Sequence, residues 1–273
     1  MVATRYVVDQ TSPAALAMLR YVIGVLCLLP FVLARPWPRF AGRDLLPIAL
    51  LGVLQFGILI ALLNFGMQYV PAGRAALIFA TFPLLTLLFA AALGRETFSL
   101  SKIFSVLLTV LGVGLVLGER LVQAELAVGE WLGVLAVFAS AACGAVCSVF
   151  YRPYLERYPT LPVSALAMLA SVGVLALLAA GEGFFSAAPA ITFAGWLAIA
   201  FIGVSSGIGY VLWLWALRHA SPTRVTVFLS LSPLTAALLG AALLGEALSL
   251  LLILGVLSLA GGLWLLHRPG AAE

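Results

Sequence analysis

The sequence predicts an all-α membrane protein, a polytopic bundle of helices that crosses the bilayer many times. Of its 273 residues, 64% are hydrophobic and only 9% are charged, whereas a soluble domain carries about 25% charged residues. Apolar runs of roughly 20 residues follow one another, and a helix of that length spans the ~30 Å hydrocarbon core of a bilayer. The runs lack the apolar–polar alternation of a transmembrane β-barrel, so helices are predicted.

Nine of these runs are long enough to be full spans. The connections between them are short, the longest being roughly a dozen residues, and leave no room for a soluble domain. The first residues lack the basic start, apolar core and small-residue cleavage site of a signal peptide. In chain order the runs cover residues 13–34, 45–69, 72–94, 101–118, 130–151, 161–180, 191–218, 222–244 and 248–266.

The runs belong to two copies of one unit, because the chain resembles itself at an offset of 150 residues. The stretch "ALAML" stands at residues 15–19 and again at 165–169. Abundant leucines could match by chance, but arginine, proline and glutamate at one constant offset indicate an internal duplication. We predict a first repeat at 1–119 and a second at 130–268. The matching pairs include Gly57 and Gly207, Arg74 and Arg224, Pro83 and Pro233, Glu96 and Glu246, and Gly112 and Gly262.

The offset also predicts how the copies are oriented. The second repeat has five runs, while the first shows four and a stub at residues 1–8, so we expect a first helix that is truncated or missing. An odd number of helices per copy inserts the second copy upside down. The prediction is an inverted 5+5 repeat about a pseudo-two-fold axis in the membrane plane, as in many secondary transporters.

Basic residues predict the topology. Assigning the loops alternately to two sides puts ten basic residues on one side and three on the other, with Arg20 inside a span. By the positive-inside rule the richer side, which holds the C-terminus, is cytoplasmic, and the protein is expected in the cytoplasmic (inner) membrane. The net charge is +4. Because the basic residues lie at helix ends rather than on one face, no nucleic-acid partner is expected. The expected partners are the lipid bilayer and a small molecule, with a monomer or weak homo-oligomer.

Two long stretches carry a family resemblance. They read "PAGRAALIFATFPLLTLLFAAALGRETFSL" followed by "LGVGLVLGE", and "SPTRVTVFLSLSPLTAALLGAALLGEALSL" followed by "LAGGLWLL". With "LAMLRYVIG" they resemble the EamA-type members of the drug/metabolite transporter superfamily over essentially the whole chain. The stub "MVATRYVV" is similar to the end of that family's first helix, whose upstream Trp-Gly stretch is absent. The resemblance implies a ten-helix exporter of small metabolites, amino acids among them, and the YddG-like exporters of aromatic amino acids are the favoured type.

The two prolines are candidate hinges. Pro83 and Pro233 lie near the middle of their runs, where proline removes a backbone donor and clashes with the carbonyl four residues earlier. A matched kink in both repeats is what a pair of gating helices would have. A static kink is the alternative.

Arg20 is the charge that lies clearly inside a span, roughly 10 Å from the start of its helix at Pro13. Burying it costs on the order of 2.5–3.5 kcal/mol, so it should face protein or a water-filled cavity. Its equivalent is Ala170, and such a break in symmetry is expected at a substrate-specific feature. Arg20 could bind a substrate carboxylate, or tie structurally to a backbone carbonyl or to Asn64.

Further cavity candidates lie on two helices and near the kinks. Gln55 and Asn64 project onto opposite faces at ~100° per residue, so at most one of them is expected to face a central cavity, and Gln55 is the deeper. An aromatic-lined pocket suited to an apolar or aromatic side chain is predicted, although tryptophan and tyrosine also mark bilayer interfaces. Its residues are Ser206, Tyr210 and Trp213 on one helix, with Phe79, Phe82 and Phe228 opposite.

Several classes are disfavoured. Apart from Glu130 at the first position of its run, the runs hold no aspartate or glutamate, so a facilitator rather than a proton-coupled pump is predicted. An intramembrane enzyme would need paired acids, a serine with a histidine, or metal ligands at depth, and neither catalytic residues nor a cofactor or metal is predicted. Cys143 and Cys147 are interpreted as packing residues. The alternatives are a multidrug or cationic-compound exporter, which would want an anionic site, and a non-transporting membrane scaffold.

Overall fold

The computed structural model describes residues 10–34, 36–70, 78–97, 99–121, 130–186, 191–231 and 250–267, together with Val7 and Ala75. Within these ranges the chain forms helices and turns and no β-strand, which confirms the all-α prediction. The helices are α1 (Pro13–Leu33), α2 (Gly42–Gly52), a π-helical segment (Val53–Ile58), α3 (Leu59–Tyr69), α4 (Phe82–Ala92), α5 (Leu100–Leu121), α6 (Glu130–Phe150), α7 (Arg152–Arg157), α8 (Thr160–Gly181), α9 (Phe193–His219), α10 (Pro222–Val227) with a 3-10 turn (Phe228–Ser230), and α11 (Leu250–His267).

The helices confirm a polytopic membrane fold. Five stretches are long and apolar enough to cross a bilayer: Ala14–Leu33, Gly42–Tyr69, Trp131–Arg157, Thr160–Gly181 and Phe193–His219. Shorter apolar helices occupy parts of three more predicted spans, whereas residues 232–249 lie outside the described ranges. Large apolar side chains stand exposed on the helices, such as Leu177 at 75% and Phe193 at 80%, as a lipid-facing surface requires. The count of nine spans stays a prediction.

The span predicted at 45–69 differs from a regular α-helix. Between Gly52 and Leu59 it widens into six residues of π-helix. A π-helical segment is rare and is found most often at functional sites. Because its backbone turn is wider than 3.6 residues, the 100° projection that put Gln55 and Asn64 on opposite faces does not hold across it.

The first compact unit contains Met1–Asn64 and Phe150–His219. Within it α1 packs against α8 and α9, and α8 also packs against α2 and the π-helical segment. Small residues allow the closest approach: a Cβ built on Gly52 would overlap the backbone of Ala167. Each unit therefore draws helices from both sequence repeats.

The second compact unit contains Phe65–Val149 and Ala220–Glu273. Its largest interface joins α5 to α11, and the contacts in it are reciprocal. A Cβ on Gly112 would lie 2.7 Å from the carbonyl oxygen of Gly255, and one on Gly262 would lie 2.8 Å from that of Ser105. Adding 150 to Gly112 and Ser105 gives Gly262 and Gly255, so the predicted repeat would exchange the two contacts.

A hydrogen bond at the middle of this interface joins two equivalent positions. The Ser258 hydroxyl donates to the carbonyl oxygen of Leu108 at 2.9 Å. Their numbers differ by 150, so each is the repeat partner of the other. The bond thus joins two positions that the predicted repeat makes equivalent, and the repeat itself stays a prediction.

The proline in the third run lies at the start of a helix rather than inside a continuous one, and its role as a hinge stays a prediction. Helix α4 begins at Phe82, and Pro83 occupies its first turn. The backbone N–H groups in the first turn of a helix have no carbonyl partner within that helix. Proline lacks this N–H and therefore fits there without strain. Before it the chain turns at Ala80 and Thr81, where the Thr81 N–H and hydroxyl both donate to the carbonyl oxygen of Ile78, at 3.1 and 2.7 Å.

The second repeat departs from regular helix at the same place. Helix α10 ends at Val227 and passes into the 3-10 turn Phe228–Ser230, whose equivalents in the first repeat are residues 78–80. Pro233 lies outside the described residues. In both predicted copies the chain thus leaves regular α-helix in the few residues before the matched proline.

Candidate functional site

The candidate site is built around Arg20 on α1 in the first compact unit. Its Nε donates a hydrogen bond to the Ser206 hydroxyl on α9 at 2.6 Å. The Ser206 hydroxyl in turn donates to the carbonyl oxygen of Ile202, also at 2.6 Å. With its proton on the carbonyl, the serine offers only lone pairs to the arginine, so it acts as a fixed acceptor that orients the guanidinium group.

Glycines bring α1 and α9 close enough for this bond. A Cβ on Gly203 would lie 2.6 Å from the Cβ of Ile23, and one on Gly207 would lie 2.9 Å from the carbonyl oxygen of Gly24. Gly203 and Gly207 are therefore in contact with α1, the close approach that small residues allow between membrane helices.

The two terminal amino groups of Arg20 make no hydrogen bond or ion pair with any residue in the described part of the chain. The expected alternatives for Arg20, a backbone carbonyl or Asn64, are thus replaced by the Ser206 side chain. The guanidinium carbon lies 5.2 Å from the centre of the Tyr21 ring. A half-buried guanidinium with a free end is suited to bind a carboxylate through two parallel hydrogen bonds.

Aromatic rings from four segments form a cluster beside Arg20. The ring centres of Tyr21 and Phe56 are 4.7 Å apart, and those of Phe56 and Tyr210 are 4.2 Å apart. Tyr151 extends the cluster, with its ring centre 6.2 Å from that of Tyr210. All four rings are buried. Phe56 was missed from the sequence, although it directly follows the candidate Gln55, and its place at the centre depends on the π-helical segment that carries it.

Gln55 lies on the same π-helical segment. Its side-chain oxygen is buried, and no residue in the described ranges donates a hydrogen bond to it. A buried acceptor without a donor is costly, and a ligand that donates a hydrogen bond would relieve that cost. Gln55 therefore remains a candidate for substrate contact.

The remaining candidates are distributed over both units. Asn64 and Trp213 are half-buried members of the first unit. Phe79 and Phe82 contact each other in the second unit, with ring centres 5.5 Å apart, and Phe228 of that unit is 46% exposed. The pocket that joins these phenylalanines to Tyr210 stays a prediction.

A buried carboxylate, that of Glu96, lies in the second unit between α4 and α5. Glu96 is ion-paired with Lys102, with 3.2 Å between its Oε2 and Nζ. Its other oxygen accepts a hydrogen bond from the Thr223 N–H in the first turn of α10 at 3.2 Å. Glu96 thus caps a helix of the other repeat, while Glu246, its equivalent, lies outside the described residues.

Comparisons with known proteins agree with this architecture. A solved crystal structure shares the fold, with a TM-score of 0.79 at 23% identity, over 97% of this chain and 92% of that one. The chain is 31% identical over 95% of its length to a probable terminal-alkyne amino-acid exporter of Streptantibioticus cattleyicolor, covering 86% of that protein. It is 30% identical over 92% of its length to YedA, an uncharacterized inner membrane transporter of Escherichia coli, covering 80%.

The family match extends over both repeats. The EamA-like transporter family matches residues 1–118 and 131–268. A transporter of Archaeoglobus fulgidus, described as uncharacterized, is 27% identical over 93% of this chain and 88% of its own length. These relatives are transporters and not enzymes. The resemblance seen in the sequence is confirmed: the chain belongs to the EamA-like transporter family, and is a multi-pass membrane transporter.

Proposed function

We propose that this transporter exports amino acids, with aromatic or hydrophobic side chains favoured, by alternating access between two inverted repeats. The observation that carries the proposal is the open end of the Arg20 guanidinium beside the rings of Tyr21, Phe56 and Tyr210. The guanidinium binds the substrate carboxylate, and the aromatic rings suit an apolar or aromatic side chain. The Streptantibioticus relative, named as an amino-acid exporter, supports the same substrate class.

Alternating access is supported by the interrupted helices. Broken helices near the middle of the membrane are typical of secondary transporters built from inverted repeats. Here the interruptions fall at Ala80–Thr81 and at Phe228–Ser230, in equivalent parts of the two copies. The distribution of basic residues supports a cytoplasmic C-terminus and a location in the inner membrane. A monomer or weak homo-oligomer is part of the same proposal.

A matched pair of ligands tests the role of Arg20. Phenylalanine and phenylethylamine differ only in the carboxylate, so binding to the purified protein should favour phenylalanine. Arg20→Lys should weaken phenylalanine binding about tenfold to a hundredfold, because it removes charge-assisted hydrogen bonds from a fixed fork. The same change at Arg218, an exposed residue in the last turn of α9, is the control and should leave binding unchanged.

Other outcomes point elsewhere. Tighter binding of phenylethylamine, or displacement of phenylalanine by cationic dyes, would favour the cationic-compound exporter. Absence of any ligand-induced thermal shift across a panel of amino acids and dyes would favour a scaffold. Full phenylalanine binding by Arg20→Lys would remove the bidentate role from this residue.

A further inference from the structure

The loop between α1 and α2 is short and carries both aromatic and basic side chains. It runs from Ala34 to Ala41 and joins two membrane-spanning stretches, so it lies at the bilayer surface. Trp37 is 51% exposed in it, with Pro36 and Pro38 on either side. Tryptophan is enriched at the depth of the lipid headgroups, and the flanking prolines limit the conformations of the loop.

A buried carboxylate holds this loop in place. The Tyr158 hydroxyl donates to Asp44 Oδ2 at 2.7 Å and accepts a hydrogen bond from the Ala41 N–H at 3.0 Å. The Phe40 ring packs on the Tyr158 ring with 4.7 Å between their centres. The end of the loop is thereby tied to the chain between α7 and α8, and the residues around it are presented in one arrangement.

The positive and negative charges around Asp44 do not cancel. Asp44 is buried, and Arg157 Nη1 lies 3.4 Å from its Oδ2. Arg43 is 4.0 Å from the same carboxylate, yet its side chain is 83% exposed. Arg39 is exposed and makes no ion pair or hydrogen bond with the residues that the structure describes. Arg39 and Arg43 thus leave two exposed positive charges in and next to the loop that carries Trp37, after Arg157 has paired with the acid.

We propose that Trp37, Arg39 and Arg43 form a binding site for the headgroup of an anionic phospholipid. The two guanidinium groups bind the phosphodiester, and the Trp37 ring packs at the boundary between headgroups and acyl chains. Leu33 and Leu46, 74% and 66% exposed at the adjoining helix ends, offer apolar surface to the acyl chains. This apolar surface distinguishes a lipid from free phosphate as the occupant.

The site is tested by titrating the detergent-purified protein with phosphatidylglycerol or with phosphatidylcholine of the same acyl chains, and counting bound lipids by native mass spectrometry. Wild type should bind phosphatidylglycerol more tightly. Replacing Arg39 and Arg43 together with glutamine should weaken that binding by about fivefold for each arginine. The control, Arg152→Gln with Arg218→Gln, removes the same charge elsewhere and should retain wild-type binding.

Three results would overturn the proposal: equal affinity for the two lipids, equal loss in the control variant, or displacement of phosphatidylglycerol by millimolar inorganic phosphate. The last result would indicate a free-anion site. Arg39→Lys with Arg43→Lys keeps the charge and should retain most of the binding, since attraction to the headgroup is mainly electrostatic. Loss of binding in that variant would contradict the charge mechanism. None of these readouts depends on the substrate, so they stand apart from the test of amino-acid export.

Discussion

Arg20 and its neighbours occupy positions at which the two predicted repeats differ in chemistry. At the offset of 150 residues, Arg20 matches Ala170, Tyr21 matches Ser171 and Phe56 matches Ser206. The first predicted copy thus has a cation and aromatic rings where the second has small or hydroxyl side chains. We expect substrate recognition at positions where the side chains of the two copies diverge.

At this scale we expect Ser206→Ala to impair transport without unfolding the protein. The change removes the acceptor that orients Arg20, so the Michaelis constant should rise roughly tenfold, the value of a hydrogen bond to a charged group. Transport of phenylalanine in proteoliposomes measures this. Ser205→Ala, at the exposed neighbouring residue, is the control, and an equal effect of both substitutions would contradict the positioning role.

At the scale of the element, a turn at Ala80 and Thr81 separates two helical pieces before Pro83, where the sequence predicts a kink within one helix. Pro83→Ala restores a backbone N–H and lets the helix continue through Thr81 and Ala80. We expect transport to slow several-fold while the amount of folded protein stays near wild type. Initial rates normalised to purified protein provide the measurement. If rate and folded yield fall together, the break is a static feature rather than a hinge.

The α5–α11 interface gives a second prediction at this scale. A Cβ at Gly262 would meet the Ser105 carbonyl and the Thr109 hydroxyl, each at 2.8 Å, so Gly262→Ala should destabilise the protein by about 1–3 kcal/mol through overpacking. At its neighbour Gly261, an added Cβ would have no atom of the described residues within 4 Å. Gly261→Ala should be neutral or stabilise slightly, by about 0.5–1 kcal/mol. Melting temperatures in detergent compare the two, and equal losses would contradict the close packing.

Helix positions could be predicted well, and helix partners could not. The runs predicted at 13–34, 161–180 and 191–218 match α1, α8 and α9 within two residues, because hydropathy alone fixes where a chain can cross a bilayer. The π-helical segment, the turn at Thr81 and the central place of Phe56 depend on contacts between residues far apart in the sequence. Periodicity carries no record of such contacts. Arg20 could be identified from the sequence because a charge inside the membrane has a high free-energy cost. Its hydrogen bond to Ser206 could not, because the two residues are 186 positions apart.

At the scale of the whole molecule, buried carboxylates could couple transport to protons, because such groups act as proton relays in pumps and transporters. Asp44 and Glu96 are both buried, but each is bonded to a cation and to a hydroxyl or amide donor near a helix end. We therefore expect phenylalanine transport to follow its own gradient. Counterflow in proteoliposomes should be unchanged when a pH gradient is collapsed.

A strong dependence on the pH gradient would contradict this and direct attention to the two acids. The variants Glu96→Gln and Asp44→Asn would then identify which acid couples transport to protons. Transport by the variant that lacks the coupling carboxylate would no longer depend on the pH gradient. The expected result is that neither substitution changes the response.

The assembly of each compact unit from both halves of the chain also bears on biosynthesis. Arg20 and Ser206 are 186 positions apart, and a ribosome that adds 5–20 residues per second needs about 10–40 s to make the chain between them. During that interval α1 has been made, but the serine that accepts a hydrogen bond from its arginine has not yet been translated. Early helices of this transporter must therefore be sheltered by the insertion machinery or by transient neighbours until the later ones emerge.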